Sequence, residues 1–300
     1  MTAVTVRAAA KINLRLGVGP VRDDGYHPLM TVYQAVGVYD DVTVDAAPGW
    51  TVTVQPVGPV DVSGVPTGED NIAVRAGRLL AEHHGLDEAA DISIAKGIPV
   101  AGGMAGGSAD AAAALVALDR LWQLGTPDGE LLAIAARLGS DVPFALLGGT
   151  ALGTGRGELV EPVPDAGGWW WVAVPSDDGL STARVYVEYD RLGLGEDQVV
   201  PQQLLDALAG GSPTELAASL GNDLEAAAVS LRPDLGAARD AGLAAGALAM
   251  LLSGSGPTWL ALCRDHEHAH RVRESLVDAG WAATLAVPGP VAGAHVVEYA

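Results

Sequence analysis

The sequence predicts an α+β fold, on three observations. Strand-like and helix-like stretches follow one another irregularly, not as a regular βαβ series. Nearly half of the 300 residues are apolar (49%), enough to bury a sizeable core. A long glycine-rich segment also separates a strand pattern from a helix pattern, where a flexible tether is seldom found. The length suits one large domain or two ordinary ones. The glycine- and proline-bearing passage Gly153–Pro164 is the candidate junction, dividing the chain into 1–160 and 161–300.

In chain order, Val4–Val6 and Ile12–Leu16 read as short strands around an alanine-rich link. Gly17–Tyr26 is turn-rich. Val32–Val38, Asp41–Val44 and Thr51–Val54 alternate as strands. Asp70 or Asn71 caps a helix running to about His83, with Gly85 as its stop. Asp91–Ile94 is a strand that feeds the glycine-rich stretch Gly97–Gly107. Ser108 then caps a helix over Ala109–Leu124, and a second helix covers Gly129–Leu138. Ser140-Asp141-Val142-Pro143-Phe144 reads as a break and a new helical turn. Trp169–Val174 is a buried strand, with its tryptophans in the core or on a subunit surface. Helices are expected near Gln202–Leu208, Pro213–Ser219, Asp223–Leu231, Pro233–Ala241 and Asp265–Ala279. Strands are expected at Met250–Leu252, Thr258–Leu262 and His295–Tyr299.

A formal net charge of −20 argues against affinity for nucleic acid or anionic lipid through a basic surface. An acidic protein can still hold an anionic metabolite, using helix N-termini, backbone N–H groups and a few placed cations. Lys11 and Lys96 are the only lysines, so each attracts notice. Cys263 is the only cysteine, which excludes an intrachain disulfide and a cysteine zinc cluster. The histidines show no metal spacing; His83, His84, His266, His268 and His270 read as exposed helix residues. Neither a signal-like start nor a membrane-length apolar run is present, so a cytoplasmic location is expected.

Pro99-Val100-Ala101-Gly102-Gly103-Met104-Ala105-Gly106-Gly107-Ser108-Ala109 is the chemistry-bearing motif. Glycines let backbone approach a ligand, and successive N–H groups can converge on phosphate oxygens. The following helix adds its N-terminal N–H groups and dipole. No Gly-Lys-Ser/Thr follows, so this is no Walker A loop, and the spacing misses G-x-G-x-x-G. A dinucleotide oxidoreductase is thereby disfavoured.

This loop resembles the second motif of the GHMP small-molecule kinases. Leu252-Ser253-Gly254-Ser255-Gly256-Pro257-Thr258 resembles their third motif, and Asn222-Asp223-Leu224-Glu225 another landmark. Ala10-Lys11-Ile12-Asn13-Leu14 with Asp24-Gly25-Tyr26-His27-Pro28-Leu29 is similar to the N-terminus of the diphosphocytidyl-methylerythritol kinases of the non-mevalonate isoprenoid pathway. Ala101 and Ala105 depart from the pattern, standing where many members have glycine.

The resemblance implies a two-domain GHMP fold. Its N-terminal nucleotide domain is ribosomal-protein-S5-like, and its C-terminal part is a ferredoxin-like α/β sandwich. It implies ATP as phosphoryl donor with Mg²⁺, and transfer to the 2-hydroxyl of a cytidine diphosphate derivative of methylerythritol. Asp141 is the implied general base, although an aspartate before Val142-Pro143 is also a natural helix cap. Lys11 is implied beside it, to orient the hydroxyl and offset charge on the transferred group. Residues 99–109 would hold the nucleotide. Asn13, Tyr26, His27, Thr182 and Tyr186 would hold the acceptor, with the tyrosines stacking and the imidazole hydrogen-bonding the base. Ser108 can contact phosphate or Mg²⁺, or only cap; Asp110 can merely complement the helix dipole. Lys96 either lines the nucleotide site or is solvated. A monomer or weak homodimer is expected. The rivals are a homoserine or mevalonate type of kinase, and a non-catalytic nucleotide-binding protein.

Overall fold

The structure is a computed structural model that describes residues 3–297 apart from Asp24, Ala101, Asp177, Glu196 and Asp197. Strands β1 (Val4–Val18), β2 (Leu29–Ala47) and β3 (Thr51–Pro56) precede helix α1 (Ile72–His84). Strand β4 (Ala89–Lys96) leads through the glycine loop into α2 (Gly106–Trp122). Helices α3 (Asp128–Leu138) and α4 (Val142–Leu147) follow, then β5 (Thr150–Thr154), β6 (Leu159–Pro162) and β7 (Trp169–Val174). Helices α5 (Thr182–Leu192), α6 (Gln202–Gly210) and α7 (Pro213–Ser219) come next, then β8 (Gly221–Asn222). The chain ends with α8 (Glu225–Leu231), α9 (Leu235–Ala244), β9 (Ala249–Leu252), β10 (Trp259–Cys263), α10 (His266–Asp278), β11 (Leu285–Gly289) and β12 (His295–Val296).

Two sheets organise these elements. The larger runs β12-β1-β2-β4-β3; β5 joins it on β2, β6 on β5, and β8 runs parallel to β1. The smaller is antiparallel, in the order β11-β7-β10-β9. The α+β expectation therefore holds. One apolar core joins the larger sheet to α1–α4 and extends to Trp169 and Trp171. A second lies between the smaller sheet and the helices α5, α8, α9 and α10. Cys263 is buried there, and burial pushes its thiol up to about 12, which makes it an inert core residue.

Several boundaries differ from expectation for identifiable reasons. The alanine-rich link is strand: Ala8, Ala9 and Ala10 are buried within a continuous β1. Their small side chains fit closely packed neighbours, so tertiary burial overrides the weak β preference of alanine. The helix after the loop begins at Gly106, so Ser108 lies in its first turn and is not its cap. Ala105 stands at the cap position with φ 57°, the left-handed region. α1 is bounded as expected, with Asn71 accepting from the Ala73 N–H and Gly85 closing it at φ 65°. The segment bearing Thr182 and Tyr186 is helical (α5), a helix absent from the expected set. His268 is buried, with Nδ1 accepting from the Arg264 N–H, so it is not an exposed helix residue. The expected last strand is paired at His295–Val296, and its end at Tyr299 lies outside the described residues.

Ala105 carries a prediction. A methyl in the left-handed region costs about 1 kcal/mol. Ala105→Gly is expected to raise the melting temperature by about 2 °C by calorimetry; a lower value would mean that unfolded-chain entropy dominates.

Candidate active site

Lys11 and Asn13 sit on β1 two residues apart and therefore share a face. The Lys11 Nζ donates to Asn13 Oδ1 at 2.8 Å, and Asn13 Nδ2 donates to Thr31 Oγ1 at 2.8 Å. Thr31 in turn donates to the Arg15 carbonyl. This chain of bonds fixes the ammonium head. Asp141 reaches the same point from the start of α4: its Oδ2 is 3.4 Å from Lys11 Nζ. Asp141 occupies the N-cap position, yet its side chain makes no capping hydrogen bond. Instead Oδ1 accepts from the Tyr33 hydroxyl at 2.9 Å. The Lys11 side chain is 9% exposed and that of Asp141 29%, so the pair faces a cleft from a largely buried base.

Tyr33 was not legible as a site residue. It pairs with Asn13 in the β1–β2 register and stacks on Phe144 with ring centroids 4.8 Å apart. Burial, and next the charge of Asp141, hold its phenol well above its ordinary value, so it remains a hydrogen-bond donor. No local motif marks it; only the register of two strands brings it under the carboxylate.

The glycine loop closes one end of the cleft. The Lys11 N–H donates to the Met104 carbonyl at 3.1 Å, tying the loop to β1. Gly103 has φ 77°, and a Cβ there would lie 2.2 Å from the Ser253 carbonyl oxygen, so only glycine fits. Ser253 Oγ also donates to the Gly103 carbonyl. The third motif is thus docked on the second. Asn222 holds it there, donating to the Leu252 and Gly254 carbonyls at 2.8 and 2.7 Å. Gly254 would place a Cβ 3.6 Å from Lys11 Nζ, so this turn reaches the charged pair too.

The cleft has a volume of about 890 Å³. Pro99, Gly102, Gly103, Ala105, Gly106 and Gly107 line it, together with Lys11, Asn13, Tyr26, His27, Asp141, Thr182 and Tyr186. Val100, Met104, Ser108 and Ala109 are not among its lining residues; Met104 and Ala109 are buried in the core instead. Ala101 lies outside the described residues. Sequence reasoning also missed Arg156 and Asp190, which line the same cleft, and named Ser255, a further lining residue, only as part of the third motif.

The far end is aromatic. His27 is buried beside Tyr186 (ring centroids 5.2 Å) and edge-on to Tyr189 (6.0 Å). Its Nδ1 lies 2.8 Å from the Gly19 carbonyl, which can only accept, so Nδ1 carries the proton. Its Nε2 is 3.5 Å from an Asp190 oxygen. Tyr26 is 55% exposed, with the Arg156 guanidinium 5.3 Å from its ring centroid. Thr182 and Ser255 share a hydrogen bond of 2.8 Å.

A second hollow of about 940 Å³ is lined by Arg15, Asp223, Glu225 and Arg239. These charges pair internally, Arg15 with Asp223 at 3.1 Å and Arg239 with Glu225 at 3.5 Å. It lacks both the glycine loop and the Lys11–Asp141 pair. Among the described residues no group of three His, Cys, Asp or Glu side chains is arranged to hold a metal, and no helix is long and apolar enough to cross a membrane.

Comparison with known proteins agrees with this architecture. The GHMP kinases N terminal domain matches residues 71–149, and the GHMP kinases C terminal domain matches residues 204–282. A 4-diphosphocytidyl-2-C-methyl-D-erythritol kinase of Nocardioides sp. is 61% identical over 297 residues, covering 98% of this chain and all of the relative. The crystal structure of a 4-(cytidine 5'-diphospho)-2C-methyl-D-erythritol kinase superposes with a TM-score of 0.77 at 32% identity, covering 96% of this chain and 99% of that one. A homoserine kinase from Cytophaga hutchinsonii superposes with a TM-score of 0.73, covering 99% of this chain and 98% of its own. At 20% identity it shows the shared fold alone.

Proposed function

This chain belongs to the GHMP kinase family, in the group of 4-diphosphocytidyl-2-C-methyl-D-erythritol kinases, and from that premise we propose how its cleft works. It is an ATP-dependent small-molecule kinase. It phosphorylates the 2-hydroxyl of 4-diphosphocytidyl-2-C-methyl-D-erythritol, giving ADP and the 2-phosphate, in isoprenoid precursor synthesis. The observation that carries the reading is the Lys11–Asp141 pair, 3.4 Å apart, between the glycine loop and the aromatic end of one cleft.

Within 99–109, the cleft-lining Gly102, Gly103, Ala105, Gly106 and Gly107 hold the ATP phosphates through backbone N–H groups and the dipole of α2, with Pro99 beside them. Asp141 accepts the proton of the acceptor hydroxyl. The freed oxygen attacks the γ-phosphorus, and the bond to the β–γ bridging oxygen breaks, its electron pair leaving with ADP. Lys11 orients the attacked and attacking groups and offsets charge on the phosphoryl oxygens. Asn13 fixes Lys11 and faces the acceptor. Tyr26 and Tyr186 flank the cytosine, His27 meets its edge, and Thr182 contacts the acceptor.

The phosphate cradle suits Mg²⁺ brought by ATP itself. When bound, Mg²⁺ would neutralise phosphate charge; Ser108 does not line the cleft, so no role toward the metal is assigned to it. The division near residue 160, a cytoplasmic location, a monomeric or weakly dimeric state, and indifference to nucleic acid and membranes belong to the same reading. The net charge of −20 supports the last of these.

The test is ADP release from Mg-ATP with diphosphocytidyl-methylerythritol, homoserine and mevalonate offered separately. Turnover with the first alone is expected. Turnover with homoserine or mevalonate and none with the cytidylyl compound would sink the substrate assignment.

A further inference from the structure

Lys96, Asp40 and Asp110 form a charged cluster that the mechanism leaves unused. Lys96 ends β4 and is 2% exposed; its Nζ lies 2.5 Å from Asp40 Oδ2 and 2.8 Å from Asp110 Oδ2. None of the three lines the cleft. Lys96 is therefore neither solvated nor aimed at the nucleotide, and Asp110 does more than complement a helix dipole.

The cluster grips both ends of the phosphate loop. At the entry, Asp40 Oδ1 accepts from the Gly97 N–H at 2.7 Å and the Ile98 N–H at 2.9 Å. At the exit, Asp110 sits in the second turn of α2, and a Cβ on Gly106 would lie 2.8 Å from Lys96 Nζ. The ammonium thus packs against Gly106, the first residue of α2, which itself lines the cleft. We propose that Lys96, Asp40 and Asp110 are positioning residues that hold the phosphate loop in its anion-binding shape without themselves lining the cleft. This rests on the reading of that loop as the ATP phosphate site.

The charge balance fits such a role. Two ionised carboxylates on one ammonium would leave a buried negative charge behind a loop built for anions. Burial, with the Asp40 charge adding and Lys96 opposing, pushes the Asp110 carboxyl well above the usual carboxylate range. Burial works against the Lys96 charge, but the two carboxylates outweigh it and raise its ammonium. Both shifts act to limit the net negative charge held beside the loop. The Asp110 Oδ1 is buried without a hydrogen-bond partner among the described residues.

Asp110→Ala removes one leg of the cluster at little cost in volume, and Asp110→Asn keeps its shape and an acceptor toward Lys96. Melting temperature, Kd for ADP, and KM for ATP and for the acceptor are measured on both. Asp110→Ala is expected to raise ATP KM and ADP Kd on the order of tenfold, with acceptor KM within about twofold. Asp110→Asn is expected to stay within about threefold of wild type on every constant. A lower melting temperature with unchanged ATP KM and ADP Kd would reduce the cluster to core packing. An equal rise in both KM values would mean general loosening and would equally overturn the proposal. Should Asp110→Ala fail to fold, Asp40→Asn takes its place with the same expected split, because its amide turns a donor toward the ammonium. If wild type itself binds no ADP, the reading of the loop fails. If wild type binds ADP and Asp110→Ala binds it equally, only the positioning role falls.

Discussion

Asp141→Asn is expected to lower kcat by about three orders of magnitude while ATP KM stays within about threefold. The substitution preserves shape, and the Tyr33 hydroxyl can still donate to the remaining carbonyl oxygen at position 141. The start of α4 is equally spared, because the Asp141 side chain makes no capping hydrogen bond. What is lost is an acceptor for the hydroxyl proton, which acts in the transition state alone. Steady-state kinetics with both substrates varied, beside a melting curve, would check this. Near-normal kcat in a folded variant would leave Asp141 as the residue at the N-cap position of a short helix and remove the general base.

Lys11→Met should lower kcat/KM for the acceptor by about 10³-fold, equivalent to about 4 kcal/mol of transition-state stabilisation. The Lys11 backbone link to the Met104 carbonyl survives any side-chain change, so the loop keeps its tie to β1. Methionine keeps the apolar stem but not the ammonium, which leaves Asn13 Oδ1 without its donor and Asp141 without its cation. The fall should appear in kcat more than in ATP KM, because the charge acts where negative charge shifts during transfer. A variant within tenfold of wild type on kcat would assign Lys11 to holding Asn13 in place rather than to the chemistry.

Local signals were legible wherever chemistry is local. Asn71 and Gly85 bound α1 as expected, because a cap and a left-handed stop are decided by residues within one turn. The glycine loop stood out because its composition is unusual over eleven consecutive positions. Ser108 misled: as a serine before an alanine run it read as a cap, while the helix starts at Gly106 through a left-handed Ala105 that no propensity favours. The link Ala8–Ala10 misled too, since burial rather than intrinsic preference makes it strand.

By itself the sequence determined the α+β class and the family, and it singled out the glycine loop, Lys11 and Asp141 as candidates, all carried by residue type and short-range order. Only the tertiary structure decided that these two side chains, 130 positions apart in the chain, stand 3.4 Å from each other. It alone put Tyr33 beneath Asp141 through the β1–β2 register, and turned Lys96 from a loop neighbour into a buried tie between β2 and α2. The physical reason is the same in each case. These contacts depend on strand pairing and core closure, which sum over many distant residues, so no local window contains them. The glycine loop is legible from its own residues, but the cluster that braces it is not.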